Sequence, residues 1–319
     1  MPRPLFILLI LPLLGLGATA ATLRDEPIRP VPPATGVDPA RAELGRQLFH
    51  DPRLSDDGSV SCASCHPLAS GGSDRRRFSI GIGGHQGRIN APTVFNSGLN
   101  FTQFWDGRAD TLEQQVEGPL LDPGEMGTTW SRVVARLNGD PALRQTFRRL
   151  YPEGITPASI RDAIASFERT LVTTDAPFDR WLRGDDDALN DDQLEGYRLF
   201  QEYGCISCHQ GVNVGGNMYG YMGAMGDYFS ARGDGIRTTD LGRFNVTGRE
   251  QDRFLFKVPS LRLALLTPPY FHDGQTATIE EAIRTMARFQ LGREIPDRDV
   301  ARIIDFLGSL IGNHPLLSP

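Results

Sequence analysis

All four cysteines of this chain lie in two five-residue units that end in histidine, Cys62-Ala63-Ser64-Cys65-His66 and Cys205-Ile206-Ser207-Cys208-His209. Two thiols one helical turn apart can reach the two vinyl groups on one edge of a porphyrin. The residue that follows then aims its imidazole at the iron. The spacing predicts two covalently attached c-type haems, with His66 and His209 as proximal ligands. Three other chemistries use paired cysteines: a four-thiolate zinc site, redox-active dithiols and structural disulfides. None of them needs histidine at the fifth position, where it stands here both times.

Export fits this chemistry. Residues 1–20 read as a secretory signal: Arg3 is a small positive start, Leu5 to Leu14 is apolar apart from Pro12, and Ala18-Thr19-Ala20 offers small residues for cleavage. The apolar run is short for a membrane span, although an uncleaved N-terminal anchor is the rival reading. The expected location is the periplasm, with the mature chain starting near Ala21. A net charge of −6 gives no reason to expect nucleic-acid binding.

Haem units need helices to hold them, and the pattern is mainly α. Residues 21–37 are Pro-rich and read as an extended segment. Asp38-Pro39 marks an N-cap and first helical position, with a helix to about His50. Gly71 to Gly87 reads as a long loop, and Thr111 opens a short helix. Helical periodicity returns over about 130–138, 141–150 and 157–172, then 191–202, 278–289 and 297–311. Residues 211–250 are Gly-rich loops with room for a small hairpin. Asp185-Asp186-Asp187 reads as a solvated connection. Glu43 to Phe49 and Glu195 to Phe200 both end in Leu-Phe before a cysteine unit, which is an internal repeat. The expected architecture is two cytochrome c-like haem domains in tandem with long Gly-rich loops, over residues 38–175 and 176–319.

Several further segments occur in order: Asn90-Ala91-Pro92-Thr93, Phe104-Trp105-Asp106-Gly107-Arg108, Gly124-Glu125-Met126, Gly211 to Gly216, Pro269-Tyr270-Phe271-His272, and Met286 with Gln290-Leu291-Gly292. With them, nearly the whole mature chain resembles the bacterial dihaem cytochrome c peroxidases, a family that has the methylamine-utilisation dihaem enzymes as near relatives. The resemblance implies a C-terminal electron-entry haem held by His209 and Met286. Thioether sulfur favours the ferrous state and so suits electron storage. Spacing alone leaves Met218, Met222 and Met225 as rivals. The resemblance also implies an N-terminal peroxidatic haem with Glu125 as the acid–base group and Gln115 beside it. Trp105 would lie between the haems, as conduit or as plain packing. Asn90, with the carbonyls of Thr267 and Pro269, would hold a calcium ion. The implied partners are hydrogen peroxide, a small cytochrome c or blue-copper donor, and a second copy of the chain.

One position departs from the family. Its mobile distal histidine falls on Ile82, which cannot ligate iron, and His85 lies three residues on in Gly83-Gly84-His85-Gln86-Gly87. Either His85 takes the distal place, or the N-terminal haem is open at rest. His272 reads as a buried structural histidine, and His50 and His314 as non-ligands. Two other functions compete with peroxidase. The methylamine-utilisation enzymes oxidise a partner protein and use Tyr where this chain has Met286. A pure electron carrier would leave Glu125 and Gln115 idle.

Overall fold

The computed structural model describes residues 23–318. The signal-segment reading on residues 1–20 lies outside them. Helices dominate, and the few strands are short.

Two helix pairs organise the chain. The Pro39–Phe49 helix packs along Pro157–Glu168, and the Asp191–Glu202 helix packs along Asp297–Ser309. Each crossing is built on the same device. A Cβ at Gly45 would collide with the Ala163 carbonyl and touch Phe167, and one at Gly196 would collide with the Arg302 carbonyl and touch Phe306. Glycine is what lets the two backbones meet. Both leading helices are capped as their sequences demand: Asp38 accepts from the Ala40 and Arg41 amides, and Asn190 forms a reciprocal box with Gln193. Apolar faces then fill separate cores. One contains Leu44, Leu48, Val133, Phe147 and Ile160, and the other contains Phe178, Tyr197, Phe200, Ile303 and Phe306.

The helices over 130–138, 141–150 and 191–202 match the periodicity to the residue. The 157–172 helix stops instead at Glu168. Beyond it the chain turns, with Thr170 Oγ1 donating to the Phe167 carbonyl, and Asn96 captures the Leu171 carbonyl and the Thr173 amide. Those tertiary bonds override a continuing apolar pattern. The expected hairpin is also different. Tyr219–Tyr221 pairs antiparallel with Leu255–Lys257, so its partner lies outside the 211–250 loops.

The terminal segments cross over. Ile28 and Val31 are fully buried in the second half of the chain. There Ile28 bridges Gly211, and Val31 donates its amide to Asp179. At the other end, Leu317 is buried with Phe49, Phe95 and Phe167 of the first half.

Candidate active site

Cys62 to Cys65 form a single helical turn opened by Ser61, and Cys205 to Ser207 form a 3-10 turn opened by Gly204 in a left-handed conformation. A histidine follows directly in each case. His66 Nδ1 lies 3.0 Å from the Gly72 carbonyl, and His209 Nδ1 lies 3.3 Å from the Val214 carbonyl. With Nδ1 as donor, each ring keeps Nε2 unprotonated for a metal, the usual way of orienting a ligating imidazole. Burial lowers the basicity of His66 and pushes His209 down to about 4, so both rings are neutral.

None of the four cysteines pairs with another in a disulfide. Cys62 packs against the Phe49 and Phe167 core, and Cys205 against the Phe200 and Phe306 core. Burial pushes Cys62 up to about 12 and Cys205 up to about 11. Neutral thiols in two separate apolar sites fit thioether attachment to two haems. They do not fit a shared four-thiolate zinc centre, and no such cluster occurs among the described residues.

The second unit opens on a large cavity. Cys205, Cys208 and His209 line one part of its wall, with Phe200, Ile283, Ala287 and Ile303 around them. Met286 lines it too, from the Ile279–Leu291 helix. Of its rivals, Met222 reaches the wall, while Met218 does not and Met225 is exposed. The loop below His209 is held tightly: a Cβ at Gly215 would strike the Pro259 carbonyl and crowd His209 Nδ1.

Trp105 lines the same cavity. Its Nε1 donates to the Asn90 carbonyl at 2.9 Å. Asn90, Ala91, Pro92 and Thr93 form the adjoining wall, and the Pro92 carbonyl also faces the His66 imidazole. The segment 90–93 therefore touches both the second cavity and the His66 imidazole. Thr267 and Pro269 lie on this wall as well. The Asn90 amide NH2 donates to the Arg76 carbonyl at 2.9 Å, which leaves the Oδ1 lone pairs available.

Glu125 sits half-buried in the turn after the Glu117–Leu121 helix. Burial raises its carboxyl above the usual range, Asp122 adds to this, and Arg108 opposes it. Its charge is felt at Cys65. The Glu125 carbonyl accepts from the Ile82 amide at 2.8 Å, so the loop that carries Ile82 and His85 is pinned to the Glu125 turn. Ile82 is half-buried and packs toward Gly127, whereas His85 is exposed. Gln115 is half-buried at the end of the Leu112–Gln115 helix.

His272 is buried and bonds Asp240 at 2.7 Å. Arg232 bonds Asp240 at 2.6 Å and Asp273 at 2.9 Å. Burial alone would raise the Asp240 carboxyl, but Arg232 and His272 hold it well below its ordinary range. His272, Asp240 and Asp273 have metal-like spacing, yet the Arg232 guanidinium already bonds both carboxylates.

Sequence reasoning missed Glu168. It is 6% exposed, its Oε2 has no partner, and its charge is felt at Cys62. Burial pushes its carboxyl up to about 8. The only sequence signal was a Glu inside the apolar run Ile164-Ala165-Ser166-Phe167. The folded chain keeps this proton to about pH 8, whereas an unfolded chain loses it near 4.5. The folded state thus binds more protons over that window, and stability falls as pH rises through it. Glu168→Gln is expected to match the parent in Tm near pH 4.5 and to exceed it by several degrees at pH 9. A Tm difference that stays flat across that range would contradict this.

The family profile of the di-haem cytochrome c peroxidases matches residues 39–187. The chain is 48% identical over 295 residues to cytochrome c peroxidase Ccp of Escherichia coli K12, covering 92% of this chain but only 63% of that protein. It is 47% identical over 310 residues to cytochrome c551 peroxidase of Nitrosomonas europaea, covering 95% of this chain and 90% of that one. A crystal structure of a MauG-like protein associated with microbial copper homeostasis matches with a TM-score of 0.78 at 28% identity, covering 93% and 96% of the two chains. Two separate Cys-x-x-Cys-His turns, a buried imidazole after each that a backbone carbonyl orients, and identity of this extent lead to one conclusion: the chain belongs to the di-haem cytochrome c peroxidase family and is a haem-dependent peroxidase.

Proposed function

We propose that this peroxidase works in the periplasm, where it reduces hydrogen peroxide to two waters with two electrons from a small cytochrome c or a blue-copper protein. The observation that carries the reading is an asymmetry between the two sites. Glu125 is placed by the first cysteine unit, while the second cavity has Met286 on its wall and no Asp or Glu among the described residues. Acid–base chemistry belongs at the first site and electron entry at the second.

When bound, haem supplies the redox chemistry: cleavage of the peroxide O–O bond at one centre and one-electron exchange with the donor at the other. The chain's own residues do the rest. His66 and His209 are the proximal ligands, each oriented by a backbone carbonyl. The thioether of Met286 completes the second site and favours its reduced form. Glu125 accepts the proton of one peroxide oxygen and delivers it to the other, which leaves as water. Gln115 orients the peroxide beside it. Trp105, held by Asn90, carries electrons toward the first site along the 90–93 segment. Calcium, bound by Asn90 Oδ1 with the Thr267 and Pro269 carbonyls and water, braces this wall. The two helix pairs then serve as tandem haem domains, 38–175 and 176–319, in a chain that pairs as a homodimer. Met286 weighs against partner-protein oxidation of the methylamine-utilisation type.

The exposed His85 and the packed Ile82 support a first site that is open at rest. The oxidised parent is expected to show a high-spin ferric signal that His85→Ala leaves unchanged. High-spin signal that appears only in the variant would overturn this. For the activity itself, reduced small cytochrome c is mixed with the holoprotein and hydrogen peroxide. Rapid donor oxidation is expected, and its absence even after pre-reduction would defeat the proposal.

A further inference from the structure

The chain has 33 basic side chains, and Lys257 is the only lysine among them. Among the described residues it is also the most deeply placed cation without a partner. Lys257 is 7% exposed and lines the second cavity, and its ammonium has no hydrogen bond or ion pair among the described residues. The other cation on that wall, Arg262, is fully buried but paired with Asp179 at 2.8 Å. No Asp or Glu lines the cavity among the described residues, so nothing in the wall offsets the lysine. Burial pushes the ammonium down to about 8, which shows how poorly the protein alone accommodates the charge.

A buried unpaired cation is costly unless a ligand brings the anion. Haem brings two carboxylates, on the edge opposite its thioethers. We propose that Lys257 receives a propionate of the second haem and thereby sets both the orientation of that haem and its reduction potential. Position gives the contact a purpose. Lys257 donates its backbone amide to the Trp105 carbonyl at 2.8 Å, and both residues lie on the cavity wall with Asn90 and His272. A propionate held there directs the cofactor's polar edge toward the tryptophan. The paired carboxylate is also neutralised, so electrons are held on a less negative centre, which favours the reduced haem.

This inference rests on the second haem being bound through Cys205, Cys208, His209 and Met286. Haem content is therefore counted first: a parent with fewer than two covalently bound haems would defeat that site reading and the lysine assignment with it, whereas a fully loaded parent puts only the lysine assignment at stake. The midpoint potential of the second haem is then measured by spectroelectrochemistry at pH 7, without peroxide, in the parent, Lys257→Met and Lys257→Arg. The Met variant is expected to shift to lower potential with altered propionate bending modes in the resonance Raman spectrum, and the Arg variant to return toward the parent. If the Met variant carries too little haem, Lys257→Gln is read in its place. Loss of the second haem from both neutral variants, but not from the Arg variant, supports the same assignment. A neutral variant with parental potential and propionate modes, or an Arg variant displaced as far as the Met variant, would overturn it.

Discussion

Glu125→Gln is expected to lower peroxide-dependent donor oxidation by about 10²–10⁴-fold, the usual worth of a positioned acid–base group. Gln keeps the size and polarity of the side chain but cannot take a proton from one oxygen and hand it to the other. The half-buried turn and its hydrogen bond to Ile82 use backbone atoms, so the substitution leaves the local fold alone. Haem content, the absorption spectra and the potential of the second haem are expected to stay parental. Burial already biases this carboxyl toward its protonated form, with Asp122 adding to the effect. Asp122→Asn should therefore lower the Glu125 pKa and move the acidic limb of the rate profile to lower pH. Turnover within about tenfold of the parent in Glu125→Gln would remove the residue from the mechanism.

The second large effect is structural. Asp179→Ala is expected to cost about 3–5 kcal/mol, because it strands a buried guanidinium. Asp179 and Arg262 are both fully buried, and their partners span the molecule: Arg262 Nε donates to the Val212 carbonyl, its NH2 to the Arg29 carbonyl, and Val31 donates to Asp179. One ion pair thus ties the extended N-terminal segment to the loop that orients His209. The variant should melt roughly 10 °C lower at pH 7, and protease should cut residues 23–37 sooner. A fall in Tm of less than about 3 °C with unchanged cleavage would show that apolar packing alone holds this segment.

Short-range information carried far in this chain. The two Cys-x-x-Cys-His units are local patterns, so Cys62, Cys65, His66, Cys205, Cys208 and His209 stood out from spacing alone. Helix starts were legible where a side chain satisfies its own first amides, as Asp38 and Thr111 do. The end of the Pro157–Glu168 helix was not, because Asn96 lies far away in sequence and determines it. The same limit applies to the methionine choice: four candidates are equivalent by pattern, and only the cavity wall reduces them to Met222 and Met286. Glu168 escaped notice because its helix also carries the paired Asp162, and an acid there becomes informative only once burial is known to leave it without a partner.

The sequence by itself determined where the two Cys-x-x-Cys-His units lie, where most helices run, and, through a specific resemblance, the class of reaction. Each of those depends on residues within a few positions of one another or on motifs read in order. Only the tertiary structure decided that the 90–93 segment faces both sites, that His85 stays outside while Ile82 packs in, and that the sole lysine is left unpaired in the second cavity. Burial and charge pairing come from elements distant in the chain, and no local pattern encodes them.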